Sequence, residues 1–522
     1  MSPGVHLICY ADRLAGGLGG LARALNGPLR AFSGVHILPF FEPFDGPDAG
    51  FDPVDHGSVD PRLGTWDDIR ALADQGLAVT ADLIVNHLSA RSAQFRDWLE
   101  RGERSAHDGL FLRYRDVFPN GATEDQIAAF YRPRPGLPFT PYLGGDGQRR
   151  LVWTTFLPEQ VDINVRHPKG VAYLRGILER FARAGVANVR IDAAGYAIKT
   201  AGTDSFMTAE TLRHIADLAG VCRELGLKTL VEVHAHVSQQ LAAARLVDYV
   251  YDFAAPALLL HSLRLGTVDR LVAWDAIRPR NCVTVLDTHD GIGIIDAGPA
   301  DGRPGLLDQE EMAAIFAAAD AATGGVSGRA SVIPAWCELP HQVNSTFFDV
   351  LGRDAATYLL ARAIQFFLPG LPQVYYVGLL AGGNDVRLWR ETGQGRDVNR
   401  HRYTAAEFGQ ALGGEVVRAT LGLVALRGHA AFAGDYAMRQ TGPAGLELAW
   451  RDGGDQIALE ADLAAKSFRI TGRTGDGRRL AVGSVGDLAR LAQAGQAASA
   501  GLTGARGAGG AAPAGGLGTG ES

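Results

Sequence analysis

Near its middle the chain reads Val186-Ala187-Asn188-Val189-Arg190-Ile191-Asp192. This short, largely apolar run, rich in β-branched residues and closing on a carboxylate, has the character of a buried strand. Arg190 stands two residues before Asp192, so the alternation of a strand puts both side chains on one side. Runs of similar length and composition recur at 5–9, 35–40, 78–85, 229–233, 249–253, 282–286 and 373–377. Several are apolar at consecutive positions, as expected of parallel strands covered on both faces. Helical periods lie between most of them, as at 174–184 and 208–225. Eight strand-then-helix units predict an α/β chain folded as a (β/α)8 barrel rather than an open doubly wound sheet.

Two connections are too long for simple crossovers. The stretch 116–141, between the third and fourth strands, is rich in proline, glycine and aromatics and has no sustained helical period. After the seventh strand, 323–328 reads as a mobile loop. Beyond about 435 the pattern changes to short alternating segments such as 446–450 and 456–461, which predict a small antiparallel β domain. The expected organisation is therefore a catalytic barrel over 1–87, 166–290 and 351–434. An inserted domain after strand 3 takes 88–165, an inserted loop domain after strand 7 takes 291–350, and a C-terminal β domain takes 435–491. The Ala/Gly-rich stretch 492–522 lacks the large apolar groups needed to offset ordering entropy, so a disordered tail is expected, removable without loss of activity.

The bulk numbers exclude several classes. The 522 residues carry 50 Lys and Arg against 57 Asp and Glu, a net charge of −7, so there is no basic footprint for nucleic acid or an anionic membrane. The four cysteines, Cys9, Cys222, Cys282 and Cys337, form no CxxC pair and no metal knuckle. Buried reduced thiols, no secretory signal in the first residues, and no apolar run near the ~18 residues of a membrane span predict a cytoplasmic location.

The chemistry is carried by acids at strand ends. Asp192 follows Ile191, Glu232 follows Val231, and Asp290 follows Asp287-Thr288-His289. On a barrel these ends are neighbours on one face. A lone acid at a strand end is usually a cap or an ion-pair partner; three converging acids suit glycosyl transfer with retention. One ionised carboxylate attacks the anomeric carbon and a second carboxyl, ~5–5.5 Å away, protonates the leaving oxygen. Arg190 is expected to keep Asp192 ionised, and Glu232 is expected to have a raised pKa.

The segments Asp82-Leu83-Ile84-Val85-Asn86-His87, Arg190-Ile191-Asp192-Ala193, Glu232-Val233-His234 and Thr288-His289-Asp290 resemble, in order, the four signature regions of the α-amylase superfamily. Within it, His36-Ile37-Leu38-Pro39-Phe40-Phe41, Asp48-Ala49-Gly50-Phe51-Asp52-Pro53, Tyr131-Arg132-Pro133-Arg134-Pro135-Gly136, Asp287-Thr288-His289-Asp290-Gly291-Ile292-Gly293 and Gly395-Arg396-Asp397-Val398-Asn399-Arg400 are similar to the sucrose phosphorylase family. The likeness runs from about residue 5 to about 430. It implies Asp192 as nucleophile, Glu232 as general acid/base and Asp290 as the acid that grips sugar hydroxyls. It implies that His87 and His289 bond the glucosyl ring, and that Asp48 and Arg396 close the far end of the pocket. It also implies an aromatic wall of Phe51, Phe156, Tyr196 and His234, and phosphate held by Arg134 and His341. Gln342, beside His341 in the same loop, joins the expected sugar contacts.

The chain departs from the family at Leu339-Pro340-His341-Gln342, where the family carries Asp-Leu-Tyr-Gln. Losing an acid and gaining a histidine is expected to make the acceptor side more positive. The implied reaction is transfer of an α-glucosyl unit from sucrose to phosphate, without cofactor or metal, by a monomer or homodimer. Sucrose 6F-phosphate, glucosylglycerol and glucosylglycerate phosphorylases are the alternatives, with an α-glucoside hydrolase or a non-catalytic barrel behind them.

Overall fold

A computed structural model describes residues 4–132, 136–333 and 339–493. Strands β1 (His6–Cys9), β2 (Gly34–Ile37), β3 (Ala78–Ile84), β4 (Asn188–Asp192), β5 (Lys228–Val231), β6 (Tyr249–Asp252), β7 (Cys282–Thr284) and β8 (Leu371–Tyr375) form one closed barrel. Each pairs in parallel with its neighbours in sequence, and β8 closes on β1. All eight expected runs are strands of this barrel. The expected helices are present as Pro168–Arg183 and Ala209–Glu224, each burying one apolar stripe against the sheet.

The register fixes what the barrel interior contains. Arg190 on β4 lies opposite Asp82 on β3 and Leu230 on β5. Asp82 in turn accepts from His36 Nε2 on β2 at 2.9 Å. All three side chains are buried, and a buried charge is tolerated only when paired in this way. Further round, Arg362 donates to both oxygens of Asp287 at 2.7 and 2.9 Å, anchoring helix Ala355–Phe367 to the wall.

After β3 the chain leaves the barrel. Strand Gln160–Asp162 pairs antiparallel with His87–Ser89, and hairpin Phe139–Leu143/Arg149–Trp153 covers a small core of Leu112, Phe118, Phe130 and Trp153. The stretch read as aperiodic contains two short helices, Tyr114–Val117 and Glu124–Ala128. After β7 a second excursion carries helix Gln309–Ala322. The loop expected to be mobile at 323–328 is instead a tight turn leading into helix Val326–Ala330. The Asp320 carboxylate accepts from the Gly328 amide at 2.8 Å and ties this turn to the preceding helix.

Five antiparallel strands follow: β9 (Asp435–Gln440), β10 (Gly445–Asp452), β11 (Asp455–Asp462), β12 (Ser467–Arg473) and β13 (Arg479–Val482). The sheet docks through Trp450, whose indole donates to Phe367 O at 2.7 Å, while Arg427 lies over the Phe432 ring at 4.1 Å. Ala492, where the tail is expected to start, is buried; residues 494–522 lie outside the described residues. Among the described residues no helix is long and apolar enough to cross a membrane.

Candidate active site

The three carboxylates meet at the carboxyl end of the barrel. Asp192 ends β4, Glu232 follows β5 and Asp290 lies beyond β7. Arg190 joins two of them. Its Nη1 donates to Asp82 Oδ1 at 2.5 Å and to Asp192 Oδ1 at 2.9 Å, and its Nη2 donates to Glu232 Oε1 at 2.6 Å. One planar guanidinium thus spaces Asp192 and Glu232 across adjacent strands, which an ammonium could not do. The chain then turns sharply at Ala193, whose φ of 54° is left-handed. This lifts Ala194–Tyr196 away from the strand and leaves Asp192 at the edge of the site.

Asp290 is held from the other side. Arg396 Nη1 lies 2.5 Å and Arg400 Nη2 3.9 Å from its Oδ1; His289 Nε2 lies 3.7 Å and His234 Nε2 4.0 Å from its Oδ2. The His289 ring stacks on Phe51 at 4.9 Å with 8° between the planes, and Tyr10 meets its edge. Arg190 lies over the opposite part of the same surface, 5.4 Å from the Phe51 centroid. His87 Nε2 shares a hydrogen bond with Phe51 O at 3.0 Å, and its ring meets Phe156, which meets Tyr196. Asp48 accepts from Gln160 Nε2 at 3.1 Å.

Behind His87 lies a buried ammonium. Lys199 Nζ is 3.0 Å from Asp162 Oδ2 and donates to Asn86 Oδ1 at 3.0 Å and to the Tyr196 carbonyl. Asn86 donates to Asp162 Oδ1 at 3.0 Å. The end of β3, the first excursion and the turn after β4 are thereby tied at one point.

The charges are arranged unequally. Burial pushes the Asp192 carboxyl well above the carboxylate range; Arg190 opposes it, and the neighbouring acids Glu232, Asp82 and Asp290 push the same way as burial. Burial also acts upward on Glu232, but Arg190 and then His234 outweigh it and hold this carboxyl at about 2. Burial on Asp290 is outweighed by Arg396, His289, His234 and Arg400, which hold it well below the usual value. The polarity expected of Asp192 and Glu232 is therefore reversed in the free site. The reason is geometric: Arg190 gives Glu232 its own Nη2, whereas Asp192 shares Nη1 with Asp82. Two acids this close titrate as one system.

The histidines divide in the same way. Burial lowers His87, and it lowers His289 to about 3. Burial would also lower His234, but the Asp296 carboxylate, 2.9 Å from Nδ1, and then Glu232 raise it to about 10. His341 is lowered by burial, with Asp296 pulling it up and His234 pushing it down. Burial thus opposes the extra positive charge expected from His341, while the neighbouring carboxylates favour one on His234.

The structure brings together Asp192, Glu232, Asp290, Arg190, His234, His289, Phe51 and Arg396. Of the expected aromatic wall, Phe156 and Tyr196 meet one another, but His234 stacks on Phe253 at 4.0 Å and 12° instead. Among the described residues no contact joins Asp48 to Arg396. Gln342 accepts from the Gly291 amide at 3.2 Å, which braces the acceptor loop against the end of β7. Arg134 lies outside the described residues. Arg400, Asp296, Asp82 and Lys199 were not foreseen. Asp82 and Arg400 stood inside quoted motifs, Asp82–His87 and Gly395–Arg400, without a role being read for either; Arg400 lies four places from the arginine expected to act.

Fold and site define an α-amylase-type catalytic barrel, and residues 30–240 match the model of the α-amylase catalytic domain. The chain is 48% identical over 454 residues to a sucrose phosphorylase of Agrobacterium vitis, covering 86% of this chain and 93% of that one. It is 46% identical over 464 residues to a sucrose phosphorylase of Bifidobacterium adolescentis, covering 87% and 91%. Its structure resembles the crystal structure of sucrose 6F-phosphate phosphorylase from Thermoanaerobacter thermosaccharolyticum with a TM-score of 0.86 at 31% identity, over 93% of this chain and 99% of that one. The chain belongs to the sucrose phosphorylase family.

Proposed function

We propose that this enzyme transfers the α-glucosyl unit of sucrose to inorganic phosphate with retention, giving α-glucose 1-phosphate and fructose. The observation that carries the proposal is the Arg190 bridge, which sets Asp192 and Glu232 at adjacent strand ends while Asp290 is held ionised opposite them. Kinship with sucrose phosphorylases supports the choice of donor and acceptor.

In the first half-reaction Asp192 attacks the anomeric carbon and Glu232 gives its proton to the departing fructosyl oxygen. In the second, phosphate attacks the glucosyl ester and Glu232, now ionised, receives the acceptor's proton. The proton must be on Glu232, and Asp192 must be ionised, when the fructosyl oxygen departs. Asp290, His289 and His87 bond the ring hydroxyls, and Phe51 packs against the sugar face. Arg134 is the candidate phosphate contact from the first excursion. Three buried free thiols, Cys9, Cys222 and Cys282, suit a reducing, cytoplasmic setting.

The test is release of α-glucose 1-phosphate in phosphate buffer from sucrose and from sucrose 6F-phosphate, side by side. Faster release from sucrose is expected, because burial disfavours a charge on His341. Faster release from the phosphorylated sugar would overturn the donor assignment, and release of glucose alone would make the enzyme a hydrolase.

A further inference from the structure

We propose that Asp296 fixes a positive charge on His234 and aims its free ring nitrogen at the acceptor, so that the pair selects phosphate over water. The inference rests on the phosphorylase reading above.

Asp296 sits in the short turn Ile295–Ala297, just after the residues that follow β7. Its side chain is 3% exposed, whereas that of His234 is 27% exposed. The acid is thus sealed behind the ring, which is part-exposed although its Nε2 is itself buried and has no hydrogen-bond partner. Nδ1 is committed to Asp296 at 2.9 Å, and stacking on Phe253 fixes the plane of the imidazole. Nε2 is left with loose contacts only, 3.5 Å to Glu232 Oε1 and 4.0 Å to Asp290 Oδ2. It lies between the acid/base and the sugar-gripping acid. The backbone makes room for the pair: a Cβ on Gly293 would fall 2.3 Å from Asp296 Oδ2.

The charged and titratable groups facing His234 are Asp296, Glu232, Asp290 and His341. The three acids all favour its protonated form, and its neighbour His341 stays neutral. The imidazolium therefore persists well above neutral pH.

This charge matters in the second half-reaction. A phosphate oxygen forms the new bond to the anomeric carbon as the ester bond to Asp192 breaks. The electron pair returns to the Asp192 carboxylate, and a proton on the attacking oxygen passes to Glu232. A phosphate dianion is repelled by ionised Glu232 and Asp290, but water is not. A fixed cation with a free N–H offsets that repulsion for phosphate alone.

The experiment compares wild type, Asp296→Asn and Gly293→Ala, measuring fructose, glucose and α-glucose 1-phosphate released from sucrose over a range of phosphate concentrations and pH. In Asp296→Asn the KM for phosphate is expected to rise about 10-fold, and the product ratio to move toward glucose by a similar factor. Without phosphate, turnover runs through water, so fructose release should fall by a smaller factor than the phosphate-dependent rate. The gap in phosphate KM between variant and wild type should widen as pH rises through about 6.5, the ordinary histidine value. Gly293→Ala displaces the carboxylate without removing it and should shift the ratio in the same direction, which keeps the test alive if Asp296→Asn folds poorly. A folded Asp296→Asn with the wild-type phosphate KM and product ratio overturns the inference. A wild type that releases glucose but no α-glucose 1-phosphate overturns the phosphorylase reading itself.

Discussion

Arg190 is the residue on which the site turns, because three carboxylates share one buried guanidinium. Replacing it by Met leaves Asp82, Asp192 and Glu232 without their common partner. An uncompensated buried charge costs about 3–5 kcal/mol, so Arg190→Met should lose that much stability in chemical denaturation and all measurable activity. Arg190→Lys should be nearly as inactive, because a point charge cannot hold two acids apart. Asp192→Asn should keep the fold and lose turnover by about 10⁴-fold or more, read as fructose release from sucrose. The strand-end acids were legible in the sequence because each is a local feature: a carboxylate closing an apolar run. The polarity between Asp192 and Glu232 was not legible, since it depends on which nitrogen of Arg190 reaches which acid. The Asp296–His234 pair was hidden for another reason. Its members lie 62 residues apart and meet only when the turn after β7 folds back over β5.

Elements were easier to read than contacts. Each barrel strand carries its own signal, because a parallel strand buried on both faces has little room for polar residues. Connections carry less. The turn and helix at 323–330 were read as a mobile loop because the Asp320 bond that organises them is a single side-chain choice on the preceding helix. Lys199 shows what such choices contribute. It joins β3, the first excursion and the turn after β4, and its ammonium neutralises buried Asp162. Lys199→Met should cost about 3–5 kcal/mol in denaturant midpoint analysis. It should also raise the KM for sucrose more than it lowers kcat, because His87 loses the support of Asn86 while Asp192 and Glu232 stay in place.

For the whole molecule, buried histidines set the acid limit. His6, His56 and His289 have pKa values of about 4, 4 and 3 in the folded state against an ordinary 6.5, chiefly through burial. The unfolded chain binds these protons first as pH falls, so their contribution is complete above about 6.5 and is lost as pH drops toward 4. His234 acts in the opposite sense: its contribution is full below 6.5 and is lost as pH rises through about 10. The Tm should therefore decline steadily from pH 6.5 to pH 4.5, and His56→Gln should flatten that slope even if its Tm at neutral pH is lower. The C-terminal sheet was visible from alternation alone, but its docking through Trp450 and Arg427 was not, since both sides of that contact look like ordinary apolar surface in sequence. The excursion between β7 and β8 has a further consequence. It carries Asp296, His341 and Gln342, while Arg190, Asp192 and Glu232 belong to the barrel wall. Part of the acceptor side is thus carried on a stretch of chain separate from the barrel wall that holds the reacting carboxylates. A change in that excursion can therefore alter what the enzyme releases and accepts while leaving Arg190, Asp192 and Glu232 in place.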